Sequence, residues 1–160
     1  MEQYPQRKRN RLALVRYDEN GAYFITICTR DKANRFWSVG AANRRPPECL
    51  SPMGRVAAEK IRMIEVLHEA VHVDHYVVMP NHVHLLLRID NNGRRIAAPT
   101  IMSIVNQYKG AVSKAVGQSL WQKSFHDHIV RDDEDYRRIW EYIDANPGKW
   151  TEDRYFIPDP

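Results

Sequence analysis

The apolar positions divide the chain into strand-like and helix-like stretches. Ala22–Thr29 (AYFITICT) is rich in β-branched and aromatic residues and predicts a strand. Residues 30–50 hold Gly40 and the Pro46-Pro47 pair and read mostly as loop, with a short strand around Glu48–Ser51. Ser51-Pro52 opens a helix, Ser51 as N-cap and Pro52 at the first helical position. Val56, Ile61, Met63, Ile64 and Leu67 carry it to about residue 69. His72–Met79 and His82–Ile89 are strand-like and separated only by Pro80-Asn81, which implies an antiparallel hairpin ending at Asn91-Asn92-Gly93. A second helix begins at Pro99-Thr100, places Ile101, Ile104, Val105, Tyr108, Val112 and Val116 at helical spacing, and closes at Gly117. Leu120–Val130 is assigned no element. Asp132-Asp133-Glu134 starts a third helix, with acids at the positive end of its dipole, and Pro147 stops it. The order βαββα-x-α predicts an α+β sandwich and not a doubly wound parallel sheet.

One domain fits 160 residues, and a chain of this length buries enough surface to fold without staples. Its apolar runs are too short for a membrane-spanning helix, and the N-terminal twenty residues lack the apolar middle of a signal peptide. Cys28 and Cys49 form neither a disulfide framework nor a CxxC metal pair, and Cys28 reads as a small core residue. These features exclude secretion and a cysteine-built zinc site, leaving a cytoplasmic protein as the expectation. The net charge is +4, and Arg7, Lys8, Arg9, Arg11 and Arg16 crowd the first twenty residues, while acids gather at 132–135. A basic arm suits a polyanionic partner; the alternative is a solvated terminus. No repeat, low-complexity tract, glycine-rich phosphate loop, Ser-His-Asp order or paired-carboxylate pattern occurs, so nucleoside-triphosphate chemistry and the commoner hydrolases are not indicated.

Three constellations remain. In Met79–Leu87 (MPNHVHLLL), strand alternation puts His82 and His84 on one face, about 7 Å apart at their Cα atoms, with Val83, Leu85 and Leu87 facing the core. Two imidazoles at that spacing can converge on a divalent cation; the alternative is two surface histidines on an edge strand. In the third helix, Tyr136, Ile139, Trp140 and Ile143 form the core stripe, and Tyr142 lies roughly 110° from its centre. Asn146 sits one turn further on the same flank. The pair is either a nucleophile beside a metal ligand or a boundary tyrosine with a helix-ending asparagine. Thirdly, His126-Asp127-His128 repeats the HxH spacing, open between a second metal site and a packing or capping role. Tyr108 lies on the apolar stripe of its helix, where core is the natural reading and contact with DNA, beside Lys109, the other; His68, His72 and His75 show no ligand geometry.

Taken together, the segments GAYFITICTR, MPNHVHLLL, LWQKSFHDHIVRD and YIDANPGKW resemble the HUH-type single-tyrosine transposases, within them the group associated with repetitive extragenic palindromes (REP), a branch of the insertion-sequence-200-like superfamily. The linked pattern is specific: an HUH strand, then W-Q-x-x-F-x-x-H-x-x-R, then Y-I-x-x-N-P, running through most of the chain. The resemblance implies a ferredoxin-like antiparallel sheet with helices packed on it. It implies a basic lead-in over 1–20, one HUH transposase domain over 21–150 and a tail over 151–160. His82 and His84 would be paired ligands for Mg²⁺ or Mn²⁺, Tyr142 the nucleophile and Asn146 the third ligand, where insertion-sequence relatives carry glutamine. Tyr108 is the competing nucleophile, and His128 a supporting residue. The implied substrate is single-stranded, hairpin-bearing DNA, cut and rejoined through a 5′-phosphotyrosine, with no nucleotide cofactor, by a monomer or homodimer acting on nucleoid DNA. Arg7, Lys8, Arg9, Arg11, Arg94, Arg95 and Lys109 would contact its phosphates, and aromatic side chains would stack on unpaired bases. The rival readings are a catalytically silent hairpin-binding protein and a metal-dependent phosphodiesterase that forms no covalent link.

Overall fold

The computed structural model describes residues 20–41, 45–91 and 99–159. Its sheet has four strands in the order β2-β3-β1-β4, and every neighbouring pair is antiparallel. The strands are β1 (Gly21–Cys28), β2 (Val71–Val78), β3 (His82–Ile89) and β4 (His126–Ile129); the helices are α1 (Pro52–Leu67), α2 (Ile101–Val116) and α3 (Asp133–Ala145). Short 3₁₀ segments follow β1 at Arg30–Lys32 and α3 at Asn146–Glu152. The fold is the expected α+β sheet with helices packed on it. The predicted hairpin is β2–β3, turning at Pro80-Asn81.

The helix boundaries follow from local chemistry. Ser51 Oγ accepts from Gly54 N at 3.1 Å, with Pro52 inside the first turn of α1. Thr100 caps α2 in the same way, and Gly117 ends it in the left-handed conformation that a side chain disfavours. Asp132 caps α3, accepting from Asp135 N at 2.8 Å. The strand unassigned from sequence is β4. Only four residues long, it is held to β1 with Phe24 opposite His128 and Thr26 opposite His126. The short strand near Glu48–Ser51 is a single bridge, Trp37 to Leu50.

The register fixes the two faces of the sheet. Val83, Leu85 and Leu87 on β3, with Ile25 and Ile27 on β1, are fully buried in the core beneath α1 and α2. Tyr108 bridges these helices, its hydroxyl donating to the Ala57 carbonyl at 3.0 Å. Across the sheet, Phe24, Thr26, His82 and His84 share the other face, and α3 covers it, with Tyr142 against Phe24 and Trp140 against His75. Trp140 departs from the predicted core stripe. It is 39% exposed and stacks on His75 with ring centroids 4.3 Å apart, because α3 runs out over edge strand β2. Cys28 and Cys49 are free and buried. Among the described residues no helix is long and apolar enough to cross a membrane.

Candidate metal and nucleophile site

His82 and His84 are both buried, and their Nε2 atoms lie 3.1 Å apart. What holds them there decides their chemistry. The side-chain amide nitrogen of Asn81 donates to the carbonyls of Lys32 (3.1 Å) and Tyr155 (2.7 Å), so its Oδ1 must point to His82 Nδ1, 2.8 Å away. An amide oxygen only accepts, hence His82 carries its proton on Nδ1 and presents a bare Nε2. His84 Nδ1 lies 2.9 Å from the Thr26 hydroxyl, which can donate or accept. Burial lowers both imidazoles, His84 to about 3 and His82 well below the usual histidine range; the neighbouring imidazole and Arg154 add to the effect at His82, and Arg154 at His84. At neutral pH both rings are therefore neutral, the form in which imidazole binds metals.

The third donor comes from the segment after α3. Asp153 Oδ2 is 4.0 Å from His82 Nε2, its side chain only 3% exposed, and ligand atoms of His82, His84 and Asp153 all lie within 4.8 Å of one another. Burial raises the Asp153 carboxyl, while the Tyr155 amide, donating to Oδ1 at 2.7 Å, Arg154 and Asn146 oppose that shift. Asn146 is buried at the end of α3 and its Oδ1 has no hydrogen-bond partner. The donor set fits a divalent cation. Two nitrogen ligands about 2.1 Å from one metal at a right angle stand about 3 Å apart, close to the observed separation. A carboxylate beside them makes a set of hard and borderline donors, and Asn146, hydrogen-bonded to Asp153, lies next to it.

Tyr142 closes the open side. Its ring lies 5.4 Å from that of His84 and 6.0 Å from Phe24, and the residue is 42% exposed. Partial burial raises its phenol; a hydrogen bond from Asn146 and the Arg154 charge lower it, and Asp153 raises it. The structure thus brings together His82, His84, Tyr142 and Asn146 of the predicted residues. Tyr108 is held elsewhere: it is buried between α1 and α2, where desolvation raises its phenol strongly. His128 Nε2 pairs with Asp135 Oδ2 at 2.7 Å, tying β4 to α3, and Lys109 Nζ donates to the Gln122 carbonyl at 2.6 Å. Arg7, Lys8, Arg9, Arg11, Arg94 and Arg95 lie outside the described residues. Among the described residues, His126, Asp127 and His128 form no second metal cluster.

Sequence reasoning missed Asp153 and Arg154. The signal was indirect: Trp150 and Tyr155 are apolar anchors within a charged stretch, and both are buried, Tyr155 with its ring 4.7 Å from His82. Asn34 Nδ2 fastens the segment further by donating to the Ile157 carbonyl at 2.7 Å.

The site thus sets paired histidines on one strand of an antiparallel sheet beneath a tyrosine-bearing helix. No family model matches the chain. Its fold is that of a solved REP-associated tyrosine transposase bound to a REP hairpin, with a TM-score of 0.60 and 23% identity over 84% of this chain and 72% of that one. A crystal structure described as a "putative transposase" from Deinococcus radiodurans aligns with a TM-score of 0.51 and 17% identity over 79% of this chain and 91% of that one. In sequence, an uncharacterized protein of Haemophilus influenzae is 29% identical over 94% of this chain and 93% of its own length. A second protein of that organism, named "Putative REP-associated tyrosine transposase", is 29% identical over 45% of this chain and 47% of its own. The resemblance to REP-associated tyrosine transposases is therefore present in both sequence and fold.

Proposed function

We propose that this protein is a metal-dependent transposase and endonuclease that cuts and rejoins hairpin-bearing single-stranded DNA through a 5′-phosphotyrosine. One observation carries the reading: the half-exposed phenol of Tyr142 stands against the ring of His84, beside Asn146 and the convergent donors of His82, His84 and Asp153. It is supported by the likeness in fold to the solved REP-associated tyrosine transposase bound to a REP hairpin.

In this mechanism His82, His84 and Asp153 would hold a divalent ion, with Asn146 as a further candidate ligand. When bound, Mg²⁺ or Mn²⁺ would polarise the scissile phosphate and offset the charge that builds on its oxygens. The protein positions the rest. Tyr142 Oη attacks phosphorus and loses its proton, the bond to the 3′-oxygen breaks, and that oxygen takes up a proton as it leaves. The 5′-phosphate stays on Tyr142 as an ester, and a 3′-hydroxyl can attack it, restoring a phosphodiester and the free phenol without ATP. Because partial burial raises the phenol, the Asn146 hydrogen bond and the Arg154 charge act in the useful direction by favouring the phenolate. Tyr108 is the poorer nucleophile, since its buried hydroxyl is committed to the Ala57 carbonyl.

The test is an end-labelled hairpin with single-stranded flanks, incubated with the protein in Mg²⁺, Mn²⁺ or EDTA and run on a denaturing gel. A protein–DNA adduct is expected with metal, and none with EDTA, with Tyr142→Phe or with His82→Ala. Cutting that persists in Tyr142→Phe without an adduct would make the protein a phosphodiesterase. Binding without cutting across varied hairpins would make it a silent hairpin-binding protein.

A further inference from the structure

Beyond the strand ends that carry His82, an open cavity of about 760 Å³ is lined by Arg30, Asp31, Lys32, Trp121, Gln122 and Lys123. Three of these residues are cationic and one is acidic. Arg30, Lys32 and Lys123 are exposed, and among the described residues none of them pairs with a carboxylate. Unpaired cations around a concavity focus positive potential into it.

The local backbone is built to present them. Asp31 and Lys32 both have left-handed conformations, with φ of 56° and 52°, although neither is glycine. Such residues carry strain and persist only where their surroundings over-determine them. Here Thr29 Oγ1 donates to the Ala33 carbonyl at 2.8 Å, and Lys32 N donates to the Thr29 carbonyl at 3.2 Å. Arg30 Nη2 is steadied by Ser119 Oγ at 3.0 Å. Lys109 lies behind the surface, its ammonium tied to the Gln122 carbonyl, and Trp121 Nε1 donates to the Lys109 carbonyl at 3.1 Å, which fixes the far wall.

Lys32 links the cavity to the histidine site. Lys32 Nζ stands 5.9 Å from the ring centre of Tyr155, whose ring lies 4.7 Å from that of His82. The Lys32 carbonyl also accepts from the Asn81 amide that orients His82. We infer that this shelf is a phosphate-tracking subsite for the unpaired strand flanking the cut, with Arg30, Lys32 and Lys123 each neutralising a backbone phosphate. The inference rests on the single-stranded DNA reading of the neighbouring site.

Its test is the salt dependence of binding of a labelled single-stranded oligonucleotide to the full chain, read by fluorescence anisotropy. Each phosphate neutralised on a single strand contributes about 0.7 to the slope of log affinity against log salt. The triple variant Arg30→Gln, Lys32→Gln, Lys123→Gln should therefore lose about 2 from the slope. Removing three cations of α1 and α2 that do not line the cavity, Arg55→Gln, Arg62→Gln and Lys114→Gln, should leave the slope nearly unchanged. The single variant Lys123→Gln, which breaks no hydrogen bond described here, should lose about 0.7 and guards against misfolding of the triple. An unchanged slope in the shelf variants, or an equal loss in the helix control, overturns the inference while the site reading stands. Wild-type protein that binds no single strand overturns both.

Discussion

Asn81 shows how much a single amide can decide. With both its hydrogens spent on carbonyls, its oxygen fixes the proton of His82 on Nδ1. Thr26 leaves His84 freer, because a hydroxyl rotates between donor and acceptor. When both Nε2 atoms face a cation, the Thr26 hydroxyl must accept from His84 Nδ1; with no cation, His84 Nε2 can donate across the 3.1 Å gap to His82. Thr26→Val removes that acceptor, and loss of such an outer partner typically weakens metal binding by about 10–100-fold. Titration calorimetry with Mn²⁺ checks it, and unchanged affinity would show that Thr26 does not set the tautomer. Tyr108→Phe belongs to the same scale with the opposite expectation. It should cost about 1 kcal/mol of stability by denaturant unfolding, for the lost bond to Ala57, and leave adduct formation intact. The position of Tyr142 off the core stripe was readable from helical spacing. Asp153 was not, because it lies past Pro147 in a charged stretch with no periodicity, and only tertiary packing of Trp150 and Tyr155 brings it to the histidines.

At the scale of elements, α3 is the part that turns a sheet into a candidate site. Its start is set by Asp132, whose side chain accepts from Asp135 N. Its flank toward β4 is set by Asp135, which accepts from Arg131 N at 3.1 Å and bonds His128, with Arg138 on its other oxygen. Asp132→Ala should cost about 1 kcal/mol in denaturant unfolding, and the loss should show first as faster hydrogen exchange in the opening turn of α3. Equal exchange in both proteins would mean that the tertiary bonds of Asp135, and not the cap, define the helix start. The three helices and the β2–β3 hairpin were legible because caps, prolines and apolar periodicity agree there. β4 was not, since HDHI is too short and polar to stand out and becomes a strand only by pairing with β1. Trp140 was misplaced because a stripe specifies a direction on the helix and not how far the sheet beneath extends.

For the whole molecule, buried neutral histidines and a paired carboxylate make stability depend on pH. His84 has its folded value near 3, below the ordinary 6.5, so between those values the unfolded chain binds more protons. Its contribution is complete above about pH 6.5 and falls as pH drops toward 3; His82 acts in the same direction. Asp135, lowered to about 2 first by its bond to His128, adds a further loss below its ordinary value of 3.8. The thermal midpoint should therefore decline from pH 7 to pH 4, and less steeply in His84→Gln; a flat profile in the wild type would contradict the burial of the two rings. The donors themselves come from the middle of the chain at 82 and 84 and from position 153, some seventy residues later. Neither part can assemble them locally, so the site does not exist until α3 and the turn beyond it have docked on the sheet. A nascent or partly melted chain thus holds only the histidine pair, and the complete donor set exists only in molecules that have finished folding.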